Sequence, residues 1–153
     1  MNDTELEYAG FWIRTGAALI DSILVLLIIM PILTMIYGWE YWLSNSYLAG
    51  FWDFIFSYLL PALAIILFWI YKSATPGKMA LKLSIVDSRT GGMPTNDQLI
   101  GRYFAYYISI IPFFFGIIWV GIDKRKQGWH DKLAGTVVVR NTTKETVKFD
   151  DQI

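Results

Sequence analysis

Cysteine is absent from this 153-residue chain, and histidine occurs once, at His130. The first absence excludes disulfides, thiol catalysis and thiolate metal sites; the second excludes a histidine-rich metal centre. Positive charge is nearly missing from the first half: of thirteen lysines and arginines, only Arg14 lies in residues 1–71, and the other twelve follow in 72–153. The segment "MNDTELEYAG" that opens the sequence is acidic, and the apolar run behind it is longer than a signal-peptide core of about 7 to 15 residues, so it reads as a retained first span. Internal repeats and low-complexity tracts are also missing, and the chain reads as one unit.

What is abundant is apolar surface. Apolar residues make up 55%, charged residues 17%, and the mean hydropathy is +0.42, which is too apolar for an ordinary soluble domain. The composition is that of a small polytopic membrane protein whose main partner is the lipid bilayer. No nucleic-acid partner is expected.

From Gly16 to Ile36 only Asp21, Ser22 and Thr34 interrupt an apolar run, and about 20 such residues cross a hydrocarbon core. The first helix is therefore expected over about 11–36, with Pro31 bending its far end. "YGWEYWLSNSYLAGFWDF" is rich in Trp and Tyr and free of Lys and Arg, as in a loop at the non-cytoplasmic interface. A second helix follows over about 54–71. Lys72, Lys78, Lys82 and Arg89 then form a basic segment that the positive-inside rule places in the cytoplasm, together with the N-terminus.

The third apolar segment, about 103–122, has basic residues on both flanks: Arg102 before it, and Lys124, Arg125 and Lys126 after it. "MALKLSIVD" alternates like a strand, "SRTGG" signals a turn, and "GTVVVRN" is β-branched. Pairing of 80–87 with 135–141 would put both ends of the segment on one side. The fold expected is an all-α integral membrane protein with two full transmembrane helices, a third helical segment and a small cytoplasmic β-sheet. The third segment is either re-entrant, broken near Pro112, or a third span. Residues 1–8 and 141–153 read as polar tails flanking a domain over 9–140.

"GFWIRTGAALID", "ATPGKMALKLSIVDSRTGG" and "KRKQGWHDKLAGTVVV", in this order and spacing, resemble the RDD family across about residues 9–140. The family is named for an arginine and two aspartates. The resemblance implies that Arg14 and Asp21 are the first two, with Asp131 the better and Asp123 the poorer counterpart of the second aspartate. It also implies a bacterial or archaeal inner-membrane protein with a role in transport, linked in some members with monovalent cation/proton exchange.

Arg14 and Asp21 are seven residues apart, so on a helix they share a face to within about 20° and lie roughly 10 Å apart along the axis. An aspartate at mid-helix costs about 2.5 to 3.5 kcal/mol on insertion, so Asp21 should point inward and find a partner or a proton. Two readings stay open: a structural ion cluster, or a protonatable carboxylate on an ion path. Asp131 is expected to accept from Arg14 or from N–H groups at a helix N-terminus. His130 beside it forms an "HD" pair, but no other histidines exist to complete a phosphohydrolase metal site. "TPGK" lacks the spacing of a phosphate loop; Pro76 and Gly77 are expected to end the second helical region, with Lys78 meeting anionic headgroups.

Candidate binding residues are thus Arg14, Asp21, Lys78, His130 and Asp131, with no catalytic or metal site and no cofactor. Two functions fit. One is a transporter subunit coupling monovalent cation and proton movement through Asp and Arg, which needs a homo-oligomer because two helices cannot enclose a path. The other is a non-transporting adaptor or assembly factor that binds an anionic lipid or a protein partner at the cytoplasmic face. No nucleophile with a partner base is visible, so an enzyme is not expected.

Overall fold

The computed structural model describes residues 4–44 and 49–143. Its elements run in the order β1 (Thr4–Tyr8), α1 (Phe11–Tyr37), α2 (Phe51–Lys72), α3 (Pro76–Ala80), β2 (Leu83–Asp87), α4 (Asn96–Ile110), α5 (Phe115–Gly121), α6 (Trp129–Ala134) and β3 (Thr136–Thr143). At 27 residues α1 is about 40 Å long, more than a hydrocarbon core of roughly 30 Å. It continues through Pro31 and stops at Gly38, whose positive φ ends the helix. Most of its apolar surface is uncovered by protein: Leu27 is 68% exposed and Met35 87%. Such surface on α1 and α2 belongs against lipid.

α2 begins at Phe51 rather than near Phe54. Asp53 in its first turn is buried and accepts from the Tyr41 hydroxyl (2.7 Å), the Ser57 hydroxyl (2.7 Å) and the Ala49 N–H (2.8 Å), which anchors the helix start. A π-turn over Ile55–Leu59 precedes Pro61, whose missing N–H leaves the carbonyl of residue 57 without an i+4 donor.

The sheet order is β1-β3-β2, all antiparallel, with Tyr8 opposite Val139 and Ile85 opposite Val138. The pairing of 80–87 with 135–141 is present. The tail reading of 1–8 needs correction, because Thr4–Tyr8 form the third strand, and β3 likewise extends to Thr143. Residues 1–3 and 144–153 lie outside the described residues. Leu83, Ile85 and Val138 pack with Ala17, Trp69 and Leu99 into one core, which joins the sheet to the ends of the helices.

The third segment is broken. α4 and α5 meet at an angle of 113°, and the turn between them contains Pro112 followed by Phe113 and Phe114 with left-handed φ of 52° and 62°. The tip is wholly apolar, with Ile111 79% and Phe113 92% exposed. The two arms cross so closely that a Cβ on Gly116 would collide with Ser109. α4 starts at Asn96, well before residue 103, because Thr95 and Gln98 form a capping box: the Gln98 N–H donates to Thr95 Oγ1 (3.3 Å) and the Thr95 N–H to Gln98 Oε1 (2.9 Å). β2 precedes this hairpin and β3 follows it in the same sheet. Both ends of the hairpin therefore lie beside one hydrogen-bonded sheet, as do the start of α1 and the end of α2, the two helices long and apolar enough to cross a membrane.

Candidate functional site

Asp131 is fully buried at the third position of α6, where its Oδ2 accepts the Gly128 N–H at 2.9 Å. Two arginines flank it: Arg14 Nη1 is 2.5 Å from Oδ2, and Arg102 Nη1 is 2.7 Å from Oδ1. The second contact is an ion pair by distance, since Arg102 Nη1 directs its hydrogen bond to Thr136 Oγ1 at 2.8 Å. Burial pushes the Asp131 carboxyl up, but Arg102 and Arg14 outweigh it and hold the group far below the usual carboxylate range. Asp131 is therefore a fixed anion.

Arg14 also donates from Nε to the Ala9 carbonyl (2.9 Å) and from Nη2 to the Lys126 carbonyl (2.5 Å), so one guanidinium ties the start of α1 to the turn before α6. His130 stacks on Tyr106 with centroids 3.9 Å apart, and its Nε2 is 3.6 Å from Asp131 Oδ2. Burial lowers its pKa to about 3, leaving the ring neutral. Asp123, the poorer candidate for the second aspartate, pairs instead with Lys132 at 2.5 Å.

Asp21 does not pair with Arg14. Its Oδ2 accepts the Thr75 hydroxyl (2.5 Å) and its Oδ1 the Gly77 N–H (2.7 Å), so it caps the start of α3 from across the helix packing. This explains the glycine: a Cβ at Gly77 would collide with the Ala17 carbonyl oxygen and with Asp21. Pro76 opens α3 rather than ending a helix, and α2 stops at Ser73 in left-handed geometry.

Lys78, expected to meet anionic headgroups, is turned into the protein. It is 8% exposed, its Nζ lies 5.2 Å from the centre of the Trp69 ring, and no hydrogen bond or ion pair to it exists among the described residues. Burial, then Arg102 and Arg14, lower its pKa. Arg102 was visible in the sequence only as a flank of the third segment. The signal that locates it is the capping box, which sets a helix frame putting Leu99, Arg102, Ala105 and Ser109 on one buried face.

Two cavities meet here. One of about 370 Å³ is bordered by Asp21, Thr75, Lys78, Trp69, Tyr106 and Tyr107. The other, about 570 Å³, is bordered by Arg14, Asp21, Lys78, Arg102, Tyr106 and His130. A wider groove of about 650 Å³ beside β1, bordered by Tyr8, Trp12, Ile122 and Arg140, touches none of the five charged residues of the cluster. Among the described residues, no three His, Asp or Glu side chains assemble as a metal site.

A family-wide comparison matches residues 8–135 to the RDD family. The chain belongs to that family. Of the residues expected as the arginine and the two aspartates of the RDD domain, Arg14 reaches Asp131, while Asp21 holds the TPGK turn. Among similar proteins, Uncharacterized protein YxaI of Bacillus subtilis is 33% identical over 148 residues, covering 86% of this chain and 96% of the relative. Uncharacterized protein YckC of the same organism is 29% identical over 150 residues, covering 95% and 93%. Uncharacterized protein RP437 of Rickettsia prowazekii is 45% identical over 76 residues, which span half of this chain and 42% of that relative. No solved structure matches the chain.

Proposed function

We propose that this RDD protein is a non-enzymatic, multi-pass protein of the bacterial inner membrane that binds an anionic group between α1, α3 and α4, with its sheet in the cytoplasm. One observation carries the reading. Lys78 is a buried lysine with no ion-pair partner among the described residues, and it borders both cavities. Formal charges agree: Arg14, Lys78 and Arg102 face Asp21 and Asp131, leaving one positive charge over. A buried charge without a partner is costly, and an incoming anion removes that cost. The cytoplasmic side is supported by the positive-inside rule: the basic segment Lys72 to Arg89 contains β2, and the run Lys124 to Lys126 lies in the turn before α6. The test is thermal melting of the detergent-solubilised protein in the presence of anionic and neutral additives. Anions should raise the melting temperature of the native protein and leave Lys78→Met unmoved; equal shifts in both would end the reading.

A second reading is transport, in which homo-oligomers move a monovalent cation against a proton. It is favoured by Asp21, a carboxylate inside a membrane helix that borders both cavities. The surplus of positive charge around it weighs against a cation site. In sealed liposomes, sodium- or potassium-dependent proton flux that Asp21→Asn abolishes in a folded protein would restore this reading.

A further inference from the structure

The buried nitrogens around Lys78 form an imbalance of donors. Trp69 Nε1, and Arg102 Nε and Nη2, have no hydrogen-bond partner among the described residues, and Lys78 Nζ adds three more donor positions. Trp69 and Lys78 border the 370 Å³ cavity together with the Asp21 carboxylate, which the Thr75 hydroxyl and the Gly77 N–H already satisfy, while Arg102 borders the adjoining cavity. A ligand that completes this environment brings acceptors, a single negative charge, and a body that tolerates an aromatic and aliphatic entrance.

Resting on the anion-binding reading above, we infer that this cavity holds the phosphodiester group of an anionic membrane lipid, one per chain. A phosphodiester carries one charge, matching the formal surplus of one that Arg14, Lys78 and Arg102 leave over Asp21 and Asp131 across the two joined cavities, whereas inorganic phosphate or a phosphomonoester brings up to two. The cavity also has a direction. Its floor is closed, with Lys78 8% and Trp69 3% exposed, while Tyr107 at 55% and Ile110 at 39% form its mouth. Ile65 of α2 and Ala18 of α1 complete the apolar wall. These residues lie on helices whose outer faces belong against hydrocarbon, so the opening is lateral. An anion dissolved in water would meet an aromatic and aliphatic doorway, whereas a lipid already at that depth slides in with its chains beside Tyr107 and Ile110.

The experiment is native mass spectrometry of the full chain released from micelles doped with phosphatidylglycerol or with phosphatidylcholine, beside thermal melting in inorganic phosphate. One phosphatidylglycerol should be retained per chain and phosphatidylcholine should not. Lys78→Met should weaken retention at least about tenfold, the scale of one lost charge-assisted hydrogen bond, and Lys78→Arg should keep it. Ile110→Ser at the mouth should weaken lipid retention without unfolding the protein. Retention of phosphatidylglycerol by Lys78→Met equal to that of the native chain overturns the proposal. Stabilisation by inorganic phosphate that depends on Lys78, without lipid retention, overturns the lipid and leaves the anion-binding reading standing. Failure of every anion to bind through Lys78 removes both.

Discussion

Arg14 and Asp131 are 117 residues apart in the chain and 2.5 Å apart in the fold. The contact staples the start of α1 to the short last helix, α6, and Arg102 closes the same carboxylate from the other side. A buried ion pair gives little net stability compared with an apolar core, yet losing one member is costly because the other is left uncompensated. Asp131 is the pivot, since its loss strands two guanidinium groups.

Asp131→Asn should therefore be the most damaging single change in the cluster, costing about 3 to 5 kcal/mol. Arg14→Gln should cost less, because Arg102 still neutralises Asp131. The double variant Arg14→Gln with Asp131→Asn should recover part of the loss. Yield and melting temperature in detergent measure this, and a double variant no better than Asp131→Asn would show that the pair is not coupled.

Acid should destabilise the fold in two stages. The His130 pKa is lowered to about 3 from an ordinary 6.5. The unfolded chain takes up that proton first, so the contribution is complete above pH 6.5 and is lost as pH falls from there toward 3. At about 1.4 kcal/mol per pH unit, pH 5 costs about 2 kcal/mol. That corresponds to a melting temperature lower by about 4 to 8 °C. Asp131, also lowered, adds its loss only below the ordinary carboxylate range near 4. His130→Phe keeps the stack on Tyr106 without a titrating group and should melt at the same temperature at pH 7.5 and pH 5; a drop as large as that of the native protein would assign the acid response elsewhere.

Much of this was legible in the sequence because the signals are local or global. The bounds of α1 follow from a long apolar run broken only by Asp21, Ser22 and Thr34, and the pairing of β2 with β3 from β-branched alternation. Asp131 was open to Arg14 or to N–H groups at a helix N-terminus, and the fold uses both. Long-range and inward-turned features were not legible. "TELEY" has the polarity of a solvated tail, and only β3, far along the chain, makes it a strand. Arg102 reads as a flank until the capping box moves the helix start to Asn96. Lys78, next to Pro76 and Gly77, has the context of a surface turn; Asp21 grips that turn and faces the lysine inward.

Gly77 tests that grip. A Cβ there would meet the Ala17 carbonyl oxygen and the Asp21 carboxylate, so Gly77→Ala must push α3 away from α1 and break the bond from the Gly77 N–H. A loss of about 1 to 3 kcal/mol is expected for the stranded acceptor and overpacking. Gly101 in α4 has open space around its Cα, and Gly101→Ala should be neutral or stabilising by up to about 1 kcal/mol. Similar melting of the two variants would contradict the packing described for Gly77.

The last expectation concerns sidedness, and the absence of cysteine makes it clean to measure. Single cysteines at Ser88, Lys124 and Arg140 should behave alike, because β2, the turn after α5, and β3 are held to one side by the sheet and by Lys126 against Arg14. A cysteine at Leu43, between α1 and α2, should behave oppositely. With the sheet in the cytoplasm, an impermeant thiol reagent added to intact cells labels Leu43→Cys alone, and the other three react only after permeabilisation. Phe113→Cys at the hairpin tip should resist the reagent in both cases, since a lipid-buried thiol stays protonated and unreactive. Labelling of Lys124→Cys from outside while Ser88→Cys stays protected would make the third segment a simple crossing, and the shared sheet could not then exist. Labelling of all three from outside, with Leu43→Cys protected, would keep the fold and invert the orientation assigned from the basic residues.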